Sequence, residues 1–325
     1  MKRIFVYEHL SGGAALTEGD DAAAQELLAM GQSMRDAVVA DLLALENYDV
    51  SVATCKLASP VAEPARPVMA ADGESAFDFV ARQAGEHDLS WVIAPETDGV
   101  LATLRQRVAP RRWLGCEAHA IQLATRKRAT LMALAETGIA TPLAFEHEPD
   151  ISRWVVKPDD GAGAIATRLH HEPEAAIGDW SQRSRAGCAT AIEPWVEGPA
   201  LSLSMLCTAK KCELLSINRQ NLSIDDSGLL AFRGVEINAV PLSDARAAQV
   251  RLVADRVYRA IAGLRGFVGI DFVWHKRTGP VVIEINPRVT CAYVGLSRAL
   301  GRNVAAEVVA TVGAERGARA THGHH

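Results

Sequence analysis

The chain carries six cysteines, Cys55, Cys116, Cys188, Cys207, Cys212 and Cys291, and no two of them form a C-x-x-C pair. That scatter suits neither a zinc ribbon nor a disulfide framework, so reduced thiols are expected. Long apolar runs are missing as well: none reaches the roughly 18 residues that a membrane span requires. The start Ile4-Phe5-Val6-Tyr7 meets Glu8 before a secretory apolar region can develop, which leads to the expectation of a cytoplasmic protein without a membrane partner. Basic excess is lacking: 34 Lys and Arg against 39 Asp and Glu give a formal charge of −5. With no local basic face to override that balance, no nucleic-acid partner is expected. There is no internal repeat, no long linker, and no local Ser/His/Asp or Cys/His arrangement, although such triads assemble in space rather than in sequence. His322, His324 and His325 at the carboxyl end read as a tail or cloning remnant rather than a metal site.

What is present is ample for folding. With 325 residues, 49% hydrophobic and 22% charged, the chain has room for about two domains with proper cores. The first ~115 residues alternate strand and helix: strands at 4–7, 50–54 and 91–94, helical spacing through Leu27, Leu28, Met34, Val38, Leu42 and Leu45, and a helix over 77–84. This predicts an α/β unit with a parallel sheet. Ligands of such sheets sit beyond the carboxyl ends of strands, so Glu8 to Gly13 and Pro95 to Asp98 are candidate binding loops. Helices follow at 118–125 and 129–137, the second closed by Gly138 with Pro142 just beyond. From Trp154 onward strands dominate, at 154–156, 189–194, 201–207, 213–218, 267–274 and 281–285, with a helix at 245–262, which reads as α+β with antiparallel character.

The carboxylates make the sharpest chemical argument. In Val281-Val282-Ile283-Glu284-Ile285-Asn286, alternation puts Glu284 and Asn286 on one face and Ile283 and Ile285 on the other. The preceding strand carries Asp271, and a two-residue turn centred on Arg277 and Thr278 would set Asp271 opposite Glu284. Two such acids repel unless a proton or a cation lies between them. With the amide oxygen of Asn286 they form a hard-oxygen set that suits Mg²⁺ shared with phosphates, Mn²⁺ being the alternative. A solvated strand face is the competing reading. Arg288 follows at once, a guanidinium suited to phosphate oxygens or to nothing but water. Lys157 ends a buried strand and runs into Asp159-Asp160-Gly161-Ala162-Gly163-Ala164, a small-residue loop able to bring an ammonium and free backbone N–H groups to phosphates. The spacing is not that of a P-loop. Lys127 heads a helix and meets either a nucleotide or solvent. Ala191-Ile192-Glu193-Pro194-Trp195-Val196-Glu197-Gly198 is a strand running into a hinge, where Glu193 and the backbone of Trp195 and Val196 could pair with an adenine edge. An edge strand with one surface acid is the plainer alternative.

The order of these motifs resembles the ATP-grasp superfamily. The resemblance implies an α/β domain over 1–116, a first grasp lobe over 117–188 and a second lobe with the metal site over 189–325. It implies that Lys127 and Lys157 hold nucleotide phosphates, that Asp160, Gly161 and Gly163 belong to a flap loop, and that Glu193, Trp195 and Val196 frame the adenine. Asp271, Glu284 and Asn286 would be metal ligands, and Arg288 with Lys157 would act on the reacting phosphate. Where many members place a ribose-binding glutamate after the hinge glycine, this chain has Ala200, and Glu197 is the candidate substitute. Glu8-His9-Leu10-Ser11-Gly12-Gly13 and Glu284 to Leu296 are similar to the tyramine–glutamate ligases of methanofuran-type cofactor biosynthesis. That implies an ADP-forming ligase that joins glutamate to tyramine, tyrosine or a similar amine through an acyl phosphate. The expected partners are a small carboxylate and a small amine, with a homodimer as the candidate assembly. A small-molecule kinase on the same fold, and an ATP-binding protein without catalysis, are the alternatives. Glu8, His9, Ser11, Arg219 and Tyr293 are further candidate substrate contacts.

Overall fold

The structure is a computed structural model describing residues 1–14, 22–148, 151–161 and 163–311. Its first sheet is built on strand β1, Lys2–Glu8, whose Ile4, Phe5, Val6 and Tyr7 are fully buried. Alternation sends Phe5 and Tyr7 to one core and Ile4 and Val6 to another, so both faces of the strand are covered, as a central parallel strand requires. Helix α1, Ala22–Leu43, covers the second face through Val38 and Leu42. Strands β2 (Tyr48–Ala53) and β3 (Arg66–Val68), helix α2 (Ala76–Glu86) and strand β4 (Leu89–Ile93) complete a four-stranded, all-parallel sheet in the order β3-β2-β1-β4. The α2 start is set by Ser75, whose side chain accepts the Asp78 N–H at 3.1 Å. Helix α3, Val100–Arg107, follows the β4 loop.

Helices α4 (Ala118–Thr125) and α5 (Lys127–Glu136) are separated by a break at Arg126, so α5 starts at Lys127, two residues before the expected start. Two of its first N–H groups, those of Lys127 and Arg128, go to the carbonyl and the carboxylate of Asp159 at 2.9 and 2.8 Å. Capping from a distant loop rather than from its own flank places the Lys127 side chain over that loop. Strands β5 (Trp154–Pro158), β6 (Arg168–His170) and β7 (Thr190–Pro194), with helix α6 (Pro173–Arg185) packed on them, form an antiparallel sheet in the order β6-β5-β7. Since β7 pairs with β5, this sheet continues to Pro194, past residue 188.

The largest sheet is also antiparallel. It orders β8 (Ala200–Cys207), β9 (Cys212–Ile224), β10 (Leu230–Val240), β11 (Gly266–His275) and β12 (Gly279–Asn286) as β10-β9-β8-β11-β12, with helix α7 (Arg246–Ala260) on one face and the short helix α8 (Leu296–Leu300) near β10. The long β9–β10 hairpin reaches across to the three-stranded sheet: Leu169 N–H donates to Gly228 O at 2.8 Å and Leu230 N–H to Thr167 O at 2.9 Å. A Cβ at Gly228 would lie 2.2 Å from Leu169 O, and its φ is +81°, so only glycine permits this approach. The three sheets thereby enclose a cleft. A single core runs from Phe5, Phe79 and Leu104 through Ile121 to Val268, Ile270 and Phe272, so the amino-terminal unit is packed against the large sheet. Among the described residues no helix is long and apolar enough to cross a membrane. Ala162 and the carboxyl-terminal histidines lie outside the described residues.

Candidate active site

A cavity of about 410 Å³ opens where the three sheets meet. Lys127, Lys157, Gly161, Gly163, Glu193, Trp195, Val196, Asp271, Glu284, Asn286 and Arg288 all border it, although they come from five separate stretches of chain. Lys157 is buried on β5, and its Nζ donates to Glu193 Oε1 on β7 at 2.5 Å. The second oxygen, Glu193 Oε2, is buried without a hydrogen-bond partner. Lys127 Nζ donates to Gly161 O and lies 3.3 Å from Glu284 Oε1. Both ammonium groups are thus desolvated where they border the cavity, and each would act on a phosphate there far more strongly than in water.

Asp271 and Glu284 are direct cross-strand partners on β11 and β12. The route to that pairing differs from the one expected. His275 pairs with Gly279, which leaves three residues in the turn rather than two, and Phe272 pairs with Val282. A β-bulge between Phe272 and Asp271 restores the register by inserting Ile283 as an extra residue. Because of it Val282 and Ile285, three positions apart, enter one core, while Ile283 lines the cavity beside Glu284 instead of facing the other way. Unbroken alternation cannot do this.

The proximity of the acids has a chemical consequence. Burial first, and the Glu284 carboxylate second, push the Asp271 carboxyl up to about 7, against the hydrogen bonds it receives from Gln220 and Asn286. The Asn286 donor, Nδ2, is 3.3 Å from Asp271 Oδ2. Two acids and an amide oxygen on adjacent strands fit a hard divalent cation shared with phosphate, which would relieve their repulsion. Among the described residues no cluster of three or more His, Cys, Asp or Glu is placed to hold a metal, so the set rests on its amide as third donor.

Arg288 is oriented from the amino-terminal unit. Its Nε lies 2.9 and 3.1 Å from the two carboxylate oxygens of Glu96, Nη2 lies 2.9 Å from Oε2, and Nη1 donates to Val289 O at 3.2 Å. Burial opposes the positive charge, but Glu96 outweighs it and keeps the guanidinium protonated. Of its five N–H groups, one on each terminal nitrogen remains for an anion in the cavity.

Two expected contacts are placed elsewhere. The Asp160 carboxylate accepts the backbone N–H of Asp98 at 2.9 Å and does not border the cavity. Glu197 points to the outer side of the hinge, where Arg153 pairs with it beside a small hollow of about 100 Å³. Tyr293 is also structural: its hydroxyl donates to Asp41 at 2.7 Å and its ring packs on Trp91 and Phe267. Arg219 is paired with Glu236 at the surface. Glu96 and Gln220 had not been singled out. Glu96 lies in the loop after β4, which the strand-end rule had already marked, whereas Gln220 lies on a strand extended well beyond its apolar segment.

A family model of the ATP-grasp domain matches residues 124–292, and one of the pre ATP-grasp 3 domain matches residues 48–121. The chain belongs to the ATP-grasp family. Its parallel sheet forms the pre-ATP-grasp domain and the two antiparallel sheets are the grasp lobes, which leaves the cavity between them in the cleft of the grasp. No protein of curated function matches the chain in sequence. Among solved structures it is similar to an ATP-grasp superfamily protein from Archaeoglobus fulgidus, with 23% identity over 95% of this chain and 88% of that one and a TM-score of 0.68. The D-alanine–D-alanine ligase of Bacillus anthracis gives a TM-score of 0.66 at 16% identity, covering 98% of this chain and 100% of that one. The L-amino acid ligase of Bacillus licheniformis gives 0.62 at 16% identity, covering 96% and 74%. At these identities the ATP-grasp fold is what the structures share.

Proposed function

We propose that this ATP-grasp protein is an ADP-forming carboxylate–amine ligase that uses ATP and Mg²⁺ and makes an amide through an acyl phosphate. One observation carries the reading: two buried lysines, an arginine fixed by a carboxylate, and a facing acid pair border one cavity between the lobes. Neutral chemistry needs no such concentration of both charges, whereas moving a phosphoryl group does. The names of the D-alanine–D-alanine and L-amino acid ligases among its structural relatives point the same way.

Lys127 and Lys157 neutralise phosphate oxygens, and the loop carrying Gly161 and Gly163 excludes water that would hydrolyse the intermediate. Glu193 Oε2, buried and unpartnered, accepts an N–H from the adenine edge, with Trp195 and Val196 beside the ring. Asp271, Glu284 and Asn286 hold Mg²⁺, which supplies charge neutralisation at the transferring phosphate. Arg288 offers its two remaining N–H groups to the acyl phosphate. Glutamate and tyramine or tyrosine are the first substrates to try, on the likeness of the segments Glu8 to Gly13 and Glu284 to Leu296.

The test is an ADP-release screen of amino acids against small amines, with hydroxylamine as a trap. ADP formation that needs an acid, and a hydroxamate when hydroxylamine replaces the amine, are expected. Phosphoester product from a hydroxyl compound, with no hydroxamate from any acid, would overturn the reading in favour of a kinase. Asp271→Asn and Glu284→Gln are expected to abolish ADP release in folded protein, and full turnover in either would remove the acid pair from the mechanism.

A further inference from the structure

One wall of the cavity comes from the amino-terminal unit, and Glu8 is its charged group. Glu8 is buried at the carboxyl end of β1, where its carboxylate accepts the N–H groups of Leu10 at 3.2 Å and Ser11 at 2.8 Å. Around it Leu10, Leu27, Met30 and Met34 line the same cavity. The last three, with Gly31, sit at i, i+3, i+4 and i+7 of α1 and form one face of that helix. Farther along, Val38 and Leu42 of the helix are fully buried in the core, whereas Leu27, Met30 and Met34 are only partly covered. A glycine inside a helix is unfavourable, yet Gly31 has a local reason: a Cβ there would stand 2.6 Å from the Glu8 carboxyl atoms. The helix is hollowed where the carboxylate sits.

Among the described residues no cationic side chain hydrogen-bonds to Glu8. Arg35 of α1 acts on it electrostatically, but its hydrogen bonds go to Asp36 and Ser59. Tyr7 lies beside it on β1, and Arg288 and Cys291 border the same cavity. Burial raises the Glu8 carboxyl above its ordinary range, so it takes a proton more readily than a surface glutamate.

Resting on the ligase reading, we propose that Glu8 with the recess of Leu10, Leu27, Met30 and Met34 is the amine site, and that it takes a primary amine carried on an apolar body. The incoming ammonium pairs with the Glu8 carboxylate and gives it one proton. The freed nitrogen lone pair attacks the acyl phosphate carbonyl; the C–N bond forms, the C–O bond to phosphorus breaks with its electron pair leaving on phosphate, and the second nitrogen proton goes to that phosphate. Glu8 returns its proton to solvent.

Hydroxylamine separates the steps, because it is largely neutral at pH 7.5, is small, and needs neither the recess nor deprotonation. With ATP, Mg²⁺ and an acid that gives hydroxamate, wild-type protein is expected to form amide from 2-phenylethylamine with a kcat/KM about tenfold or more above that for ethanolamine. In Glu8→Gln the ratio of 2-phenylethylamide to hydroxamate is expected to fall about 100-fold, the scale of a lost proton acceptor. Met30→Gln, at a partly exposed position that tolerates the change, is expected to lower the same ratio about tenfold through KM for 2-phenylethylamine, and it decides the matter if Glu8→Gln does not fold. An unchanged ratio in the variants, whether both products persist or both fall together, would overturn the amine site while leaving the ligase reading intact. Absence of hydroxamate from wild-type protein with every acid would sink the ligase reading and this proposal together.

Discussion

The Glu96–Arg288 pair allows a prediction whose size follows from its geometry. The Glu96 side chain is 3% exposed and that of Arg288 11%, so both charges are largely out of water, and three N–O distances of 2.9 to 3.1 Å join them. Glu96→Met would strand the guanidinium, and removing one partner of a buried pair costs about 3–5 kcal/mol. At about 2 °C per kcal/mol for a chain of this size, the melting midpoint would fall by about 6–10 °C. Replacing both partners, in Glu96→Met with Arg288→Met, removes the uncompensated charge and is expected to recover most of that loss, since apolar substitutes for a whole buried pair are often near neutral. Glu96→Gln keeps one acceptor but loosens the guanidinium, and misplacement of about 1 Å can cost about 100-fold in rate. Its kcat for ADP release is therefore expected to drop about 10- to 100-fold with KM for ATP little changed. The assays are thermal scans of wild type, both singles and the double variant, and initial rates of ADP release for Glu96→Gln. A double variant no more stable than Glu96→Met, or wild-type kcat in Glu96→Gln, would refute the claim that Glu96 positions Arg288.

Further outcomes are expected. Lys157→Ala leaves Glu193 buried without its cation and should cost about 3 kcal/mol in urea denaturation while raising KM for ATP; unchanged stability would mean that the pair is not desolvated. His9 is buried beside the Tyr7 hydroxyl, and burial lowers its imidazole to about 4. The unfolded chain therefore binds a proton near 6.5 that the folded chain refuses, so stability is intact above 6.5 and is lost as pH falls from there towards 4. At about 1.4 kcal/mol per pH unit the loss approaches about 3 kcal/mol, and His9→Gln should flatten that part of the stability profile; equal slopes in the two proteins would exclude the assignment. Gly31→Ala should destabilise by about 1–3 kcal/mol through its clash with Glu8, although alanine is the better helix former, and a gain in stability would show that the slot is not needed.

The fold was legible wherever pattern alone decides it. Strand-then-helix alternation over the first ~115 residues gave the parallel sheet, because β1 and β4 contain the apolar runs Ile4 to Tyr7 and Trp91 to Ile93, which only a doubly covered sheet can hide. Strand β10 was not legible: Leu230–Val240 mixes Arg233, Gly234, Glu236 and Asn238 with apolar residues and lies at a sheet edge, so no alternation survives. Strand β6 and helix α6 were missed for a related reason, three residues being too few for a period and α6 presenting mainly polar side chains. Asp160 and Glu197 were drawn towards the nucleotide by their place in a motif, but their orientations depend on Asp98 and Arg153, partners 62 and 44 residues away.

The facing of Asp271 and Glu284 is the instructive case. The expected two-residue turn is in fact three residues long, an error of one position that would by itself place Ile283 opposite Asp271 and swap the side chains on the two faces. The bulge at Ile283 cancels it. Alternation counted backwards from Asn286 is valid as far as Glu284, whereas alternation counted forwards from the turn fails at Ile283. The identity of the acid pair was therefore readable from the chemistry at the strand end, while the local backbone that aims Glu284 into the cavity was not, because a bulge costs one residue and leaves no mark in hydrophobicity. Since Ile283 is the residue looped out and Val282 already faces the core, its deletion should keep Glu284 opposite Asp271 and preserve the charged set, losing the apolar contacts that Ile283 makes with the cavity and with the cluster of Phe145, Val196 and Val281. Deleting one residue of the three-residue turn leaves the His275–Gly279 pair closed by a two-residue loop, with the bulge and the acid pair beyond it still in register. ADP release that survives both deletions is expected, and its loss on deleting Ile283 alone would mean that the bulge itself, rather than the pairing it restores, sets the geometry of the acids.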